Sequence, residues 1–398
     1  MRQSAVLELH IMKLDFVIPR YGPVGGAENA VGALARRVAQ HPGLTVNLHT
    51  TCAHSSNSWD NTETPGETFD DSLRVHRYLV DSGRNDDWSP LERRIQLGPS
   101  SIDALTQDQF FFHQGPVSEG LASAVRNSQA DLVMFAPYLF WPTMAVAPQL
   151  KNRAVIIPAA HDEPFLRLSR VADMLLSSRG LVFGSAAEQR LLNRTHSVAH
   201  LPSLVLGWGI ENPVDSDAPI AHELGLSDRP YVICVGRIEH AKGTLALINF
   251  WRTYKSRSPG DHQLVLLGEP SVAVESDDDV LVVSGADDAT KWSLLRGADF
   301  LINPSALESF SLVLFEAWAA GIPVLVNGCC ETTRDHVARS NGGLWYKNYP
   351  EFEVAVRRLT SDSSLRTHLA GHGEDFGKRF YSWDALIQRF TDFCRRLV

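Results

Sequence analysis

Short apolar runs recur along the chain, separated by stretches of helical period. Runs at 13–18, 44–50, 73–80, 131–135, 154–157 and 181–183 form a first series, and runs at 231–235, 263–267, 280–283, 299–302 and 323–326 a second. Several lack polar alternation, as strands of a parallel sheet covered on both faces must. Between the strands lie amphipathic helices. Ala27, Ala30, Val31, Leu34, Ala35 and Val38 form one apolar stripe, with Arg36 and Arg37 off it. Strand–helix alternation predicts right-handed crossovers in an open, doubly wound sheet. The pattern breaks at 206–218, where Gly207, Gly209, Pro213 and a polar run read as a linker, and then restarts. Two α/β domains are therefore expected, 1–208 and 209–379. The last helix, within 380–398, carries Trp383, Leu386, Ile387, Phe390, Cys394 and Leu397 on one face. That face either closes the second domain or crosses back to the first. Residues 55–112 are less regular and read as loop with interspersed strand or helix.

Length and composition agree with this division. A chain of 398 residues exceeds one ordinary core and suits two domains of roughly 150–200 residues each. The net charge of −9 and the lack of a basic stripe argue against a nucleic-acid binder. Five scattered cysteines show no metal-type spacing, and the only adjacent pair, Cys329-Cys330, is a poor disulfide partner set, so free thiols in a reducing cytosol are expected. No signal peptide opens the chain, and residues 1–11 read as an appendage before the strand that starts at Met12. The apolar stretch 132–148 is cut by Pro137, Pro142 and Pro148, so a buried strand, turn and helix explain it better than a membrane span.

Two segments of the second half carry chemistry. Gly236-Arg237-Ile238-Glu239-His240-Ala241-Lys242-Gly243 follows a strand and opens a helix. Cations at the carboxyl end of a strand face the crevice where open sheets bind ligands, and Arg with Lys suits a diphosphate. Alone, that reading and a solvated turn weigh equally. The second segment runs from Asn303-Pro304-Ser305 through Glu308-Ser309-Phe310-Ser311-Leu312 to Glu316 and Gly321-Ile322-Pro323. It predicts a strand end, a polar loop and a helix closed by Gly321. The amides of Ser311 and Leu312 would form an anion site at the helix start. Glu316, more than one turn in, needs partners: sugar hydroxyls, backbone or an Arg.

Together the two segments resemble the signature of retaining GT-B glycosyltransferases of the family 4 type: Gly-Arg and Lys-Gly ahead of two glutamates, here Glu308 and Glu316. The resemblance implies two Rossmann-like domains facing across a cleft. It implies that Gly236, Arg237 and Lys242 hold the donor pyrophosphate, with Ser311 and Leu312 lending amides. Glu316 would take the ribose hydroxyls, and Glu308 would sit by the donor sugar. In the first domain it singles out Gly25-Gly26, whose amides would touch donor or acceptor, and His161, which would contact the donor sugar. Read without it, Gly-Gly is a tight turn and His161 one structural side chain among fifteen histidines. Arg237, Lys242, Glu308 and His161 are the catalytic candidates. The sequence departs from the pattern at Glu239-His240-Ala241 and at Ser309 and Ser311, where glycines are common. Gly285 and its neighbours would border the base.

The resemblance implies transfer of a hexose-type sugar to a hydroxyl of a glycan, lipid-linked sugar or small molecule, without a metal or other cofactor. Asp277-Asp278-Asp279 could suggest a metal site, but it sits just ahead of the strand at 280–283 and reads as an exposed turn. The chain is expected in the cytoplasm, with a peripheral place on the inner membrane face if Arg36, Arg37, Arg93 and Arg94 make a basic surface. Two alternatives stay open: another GT-B sugar-nucleotide enzyme, epimerase-like, and a non-catalytic sugar-nucleotide-binding subunit. A dehydrogenase would require a Gly-x-Gly-x-x-Gly fingerprint that Pro23-Val24-Gly25-Gly26 does not supply.

Overall fold

A computed structural model describes residues 11–22, 24–211, 224, 226 and 229–398. The candidate appendage (but for Ile11) and most of the candidate linker, from Asn212 on, lie outside the described residues. The chain divides into two compact units, Met1–Trp208 with Trp383–Val398, and Gly209–Ser382.

The first unit is built on eight strands: β1 (Met12–Val17), β2 (Leu44–Thr51), β3 (Gly66–Asp70), β4 (Leu73–Tyr78), β5 (Leu132–Phe135), β6 (Ala154–Ile156), β7 (Gly180–Phe183) and β8 (Ser203–Val205). Their order is β3-β4-β2-β1-β5-β6-β7-β8, parallel throughout except for the β3–β4 hairpin. Helices α1 (Gly26–Ala39), α2 (Trp88–Leu97), α3 (Ala104–Gln114), α4 (Glu119–Asn127), α5 (Ala147–Leu150), α6 (Ser169–Leu176) and α7 (Ala186–His196) connect the strands. The apolar stripe of α1 is buried as Ala30, Val31, Leu34, Ala35 and Val38. The irregular region 55–112 contributes the edge strands β3 and β4 and the helices α2 and α3. The apolar stretch 132–148 splits into β5, a cis Ala136-Pro137 bond, a π-helical turn over Pro142–Val146 and the start of α5. No described helix is long and apolar enough to cross a membrane.

The second unit holds β9 (Tyr231–Val235), β10 (Gln263–Leu267), β11 (Val280–Val283), β12 (Leu301–Asn303), β13 (Val324–Asn327) and β14 (Gly343–Tyr346). All pair in parallel in the order β11-β10-β9-β12-β13-β14. Its helices are α8 (Thr244–Arg257), α9 (Asp288–Gly297), α10 (Leu312–Ala319), α11 (Glu331–Ser340), α12 (Tyr349–Ser361) and α13 (Ser363–Tyr381). The core strands are apolar without alternation; Val232, Ile233, Leu264, Leu266, Ile302 and Leu325 are all fully buried. In this order the chain winds outwards in one direction from β9 and in the other from β12. The carboxyl ends of that central pair are where an open sheet leaves a crevice.

The last helix, α14 (Trp383–Leu397), belongs to the first unit. Phe390 is fully buried with its ring 6.0 Å from that of Phe16, and the Arg37 guanidinium lies over Trp383. Arg179 closes the end of the helix by donating to the carbonyl of Leu397. This burial explains why the helix is strongly amphipathic: one face must cover apolar surface.

Candidate functional site

The site in the second unit is assembled at the ends of β9 and β12. Directly after β9, Gly236 adopts φ +138° and lies against Gly268, which follows β10. A Cβ on Gly268 would come within 2.1 Å of the Gly236 carbonyl oxygen, so the two backbones meet only because Gly268 has no side chain. Gly268 carries no motif, and only the folded sheet reveals its task. Arg237 projects from the turn, two-thirds exposed, with Nη2 3.1 Å from Glu239. The chain returns through Lys242 to Gly243, which caps α8 at φ +74°. A Cβ there would lie 2.7 Å from the Pro304 carbonyl oxygen. Two glycines thus let the β9 turn close onto its neighbours.

The loop after β12 is fixed by its polar side chains. Asn303 accepts from the Ser305 amide at 2.9 Å and donates to Ser311 Oγ at 2.8 Å. Asn327 donates to the Pro304 carbonyl. Phe310 is buried, stacked on Phe315 at 4.6 Å and edge-on to His336 at 5.0 Å. Burial pushes His336 down to about 3, so it is a neutral packing residue at pH 7. The loop ends at Ser311 with φ +71°, and α10 begins at Leu312 with no side-chain cap and no acid in its first turn. Its positive end is therefore left for an anion. Facing it, Lys242 Nζ lies 2.8 Å from Glu308 Oε1. Gly236, Arg237, Lys242, Thr244, Glu308 and Ser311 line a common cavity of about 170 Å³. The structure thus gathers six candidate residues, Gly236, Arg237, Lys242, Glu308, Ser311 and Leu312.

Glu316 lies one turn further along α10, outside that cavity wall. Its partner is neither backbone nor Arg but Lys291 of α9, with Nζ 3.0 Å from Oε1. Burial opposes the charge on Lys291, but Glu316 and Asp288 outweigh it and raise its pKa. Asp287 caps α9 by accepting from the Thr290 amide. The Gly285 amide is taken by the Glu269 carboxylate at 2.7 Å. Asp277 accepts from the amides of Asp279 and Val280 and pairs with Arg252, a turn that launches β11.

The first-unit candidates sit after β1 and β6. Gly25 caps α1 in an extended conformation, and a Cβ on it would meet Glu28 Oε2 at 2.8 Å, whereas Gly26 faces open space. Glu28 is buried in the first turn, and Arg20 Nε donates to it at 3.0 Å. His161 lies two residues after Ala159, which is at φ +53°, and its Nδ1 is 3.9 Å from Glu163, whose carboxylate also accepts from Tyr138 at 2.6 Å. The loop is held from beneath by Glu188, 1 % exposed, which accepts from the amides of Ala160 and Gly184, each at 2.7 Å. Burial, opposed by these bonds, pushes its carboxyl up to about 7. In sequence Glu188 reads only as the third helical residue after the capping Ser185, and nothing marked its reach to Ala160.

Residues 219–375 match the family of glycosyl transferases group 1. D-inositol 3-phosphate glycosyltransferase of Acidothermus cellulolyticus is 25% identical, over 97% of this chain and 88% of that one. Among solved structures, sucrose-phosphate synthase of Thermosynechococcus elongatus superposes with a TM-score of 0.72 at 18% identity, covering 97% of this chain and 99% of the other. The α,α-trehalose 6-phosphate synthase of Burkholderia multivorans gives 0.68 at 13%, covering 98% of each. The two α/β units are those of a sugar-nucleotide glycosyltransferase with the GT-B fold. The segment matched to glycosyl transferases group 1 lies within the second unit.

Proposed function

We propose that the protein transfers a hexose-type sugar from a nucleotide-diphosphate donor to an acceptor hydroxyl with retention of anomeric configuration and without a metal. The observation that carries this reading is the cavity where Arg237, Lys242 and the uncapped start of α10 converge. These groups can neutralise a diphosphate and stabilise the charge that builds on it as the glycosidic bond breaks. Lys242 leaves Glu308 for the phosphate, and the released carboxylate turns to the sugar hydroxyls. Glu316, one turn along α10, takes the ribose. The acceptor hydroxyl attacks on the face the leaving phosphate occupies and passes its proton to that phosphate, so no protein nucleophile is needed. In the first unit, His161, Gly25 and Gly26 are the candidates for sugar and acceptor contacts.

The work belongs to carbohydrate biosynthesis in the cytoplasm. The acceptor is a hydroxyl of a glycan, a lipid-linked sugar or a small molecule. One relative acts, by its name, on D-inositol 3-phosphate, which puts small phosphorylated polyols first among acceptors to try.

Binding and slow hydrolysis of UDP-, GDP-, ADP- and dTDP-sugars, measured with EDTA present, test the proposal. Selective binding of one donor with release of sugar of unchanged anomeric form is expected. Activity that needs a divalent cation, or inverted product, would overturn the metal-free or the retaining part respectively. Binding with neither hydrolysis nor transfer to any acceptor would favour the non-catalytic subunit.

A further inference from the structure

Each of the two motif glutamates, Glu308 and Glu316, is paired with a lysine. The Lys242–Glu308 pair borders the phosphate cavity. The other pair comes from two different helices: Lys291 from the first turn of α9 and Glu316 from α10. Nζ is 3.0 Å from Glu316 Oε1 and 3.1 Å from Asp288 Oδ1. Both side chains of the pair are about three-quarters buried, Lys291 at 23 % and Glu316 at 24 % exposure, so the couple is neither sealed in the core nor loose on the surface.

The donor–acceptor arithmetic is the key point. An ammonium has three protons and accepts nothing, and an ionised carboxylate offers about four lone-pair sites and donates nothing. Glu316 and Asp288 use two of the Lys291 protons, and among the described residues Lys291 is the only hydrogen-bond partner of the Glu316 carboxylate. One proton of Lys291 and Oε2 of Glu316, on the two members of one ion pair, make no bond among the described residues and are open to a ligand. A hydroxyl both donates and accepts, so it fits such a couple from both sides, whereas a carboxylate alone satisfies only its proton.

We infer that Lys291 is a specificity-determining residue of the donor site: with Glu316 it forms a donor–acceptor couple that reads a ribose hydroxyl. The inference rests on the proposed assignment of Glu316 to the ribose. A hydroxyl placed there makes two charge-assisted hydrogen bonds. A C–H in its place makes none, and a site built to bond a hydroxyl rejects the analogue that lacks it.

Calorimetric titration of the full chain tests this. UDP, GDP and ADP are compared first, and the tightest is then compared with its 2′-deoxy and 3′-deoxy forms, in the native protein, Lys291→Met, Lys291→Arg and Glu316→Gln. Melting curves confirm that each variant folds. The native protein should prefer the ribonucleotide over one deoxy form by about tenfold or more. Lys291→Met should lose most of that ratio by weakening the ribonucleotide while the deoxy form binds within about twofold of native, and Lys291→Arg should restore part of it. If Lys291→Met keeps the ratio while Glu316→Gln collapses it, the role of Lys291 is overturned and the ribose assignment stands. Equal weakening of ribo- and deoxy forms by Lys291→Met also overturns it, since a lysine that only ties α9 to α10 would act that way. If the native protein shows no preference, or Glu316→Gln leaves it intact, the ribose assignment itself fails.

Discussion

The starts of α1 and α10 each follow one of the two central strands of their own sheet, yet their electrostatics are opposite. At α1 the first turn carries Glu28, buried and bonded to Arg20, so the positive helix end already has its anion. A side chain on Gly25 would press on the Glu28 carboxylate, at 2.8 Å from its Cβ, and displace it. At α10 the first turn is Leu312-Val313-Leu314, without acid or cap, and the charged groups that line the cavity with it are Arg237, Lys242 and Glu308. The fold supplies a helix end in both units. The side chains decide whether that end is filled from within or left for a ligand.

Changes at the two ends sharpen this contrast. The largest effect is expected for Lys242→Ala, which should cut turnover by about 10³-fold or more. Nucleotide-diphosphate affinity should fall about tenfold, with the melting temperature within a few degrees of native. Unchanged turnover in a steady-state assay would remove Lys242 from its role. Glu28→Ala should act on stability instead. It strands a largely buried Arg20, at a cost of about 3 kcal/mol in denaturant unfolding of the first unit. Nucleotide affinity should not move; a marked loss would show that the α1 end is a phosphate site after all.

Glu188 gives a pH-dependent test in the first unit. Its folded pKa of about 7 lies above the ordinary value of 4.5, so the folded state holds the proton more tightly than the unfolded one. That contribution to stability is fully present below pH 4.5 and is lost as pH rises towards 7. Glu188→Gln cannot titrate. The native protein should therefore lose stability relative to the variant between those limits, and parallel curves would refute the shift. The smallest effect belongs to Ser311→Gly. A residue other than glycine at φ +71° costs about 1 kcal/mol, and the Asn303 bond to its hydroxyl is worth about as much. Stability should stay within about 1 kcal/mol of native, with activity within a few-fold, if backbone amides and not the serine hydroxyl serve the anion.

Much of the fold was legible because buried parallel strands are continuous apolar runs. The strands that escaped notice lie at sheet edges. β3, Gly66–Asp70, is polar and mostly exposed, and β8 and β14 lie on the far edges of the two sheets. There pairing on one side replaces burial on both, and the apolar signal fades. Three residues of the β9–β12 cavity stood out because Arg237, Lys242 and Glu308 are charged residues bracketed by glycine, proline and strand ends. Gly268, Lys291 and Glu188 had no such frame. Each acts on a residue at least 25 positions away, Glu316 in the case of Lys291, and its meaning exists only after the strands are ordered.

The sequence by itself determined the α/β alternation, the break between its two series of strands and the charged loops at two strand ends. These are local properties: the period of the pattern, the stop signals of glycine and proline, the charge of a short segment. Only the tertiary structure decided that β9 and β12 stand side by side, so that Lys242 meets Glu308 across 66 residues of chain. It also decided that Lys291 answers Glu316 and that Glu28 answers α1. Partner choice depends on distance in space, and distance in space is set by strand order, which no local pattern encodes.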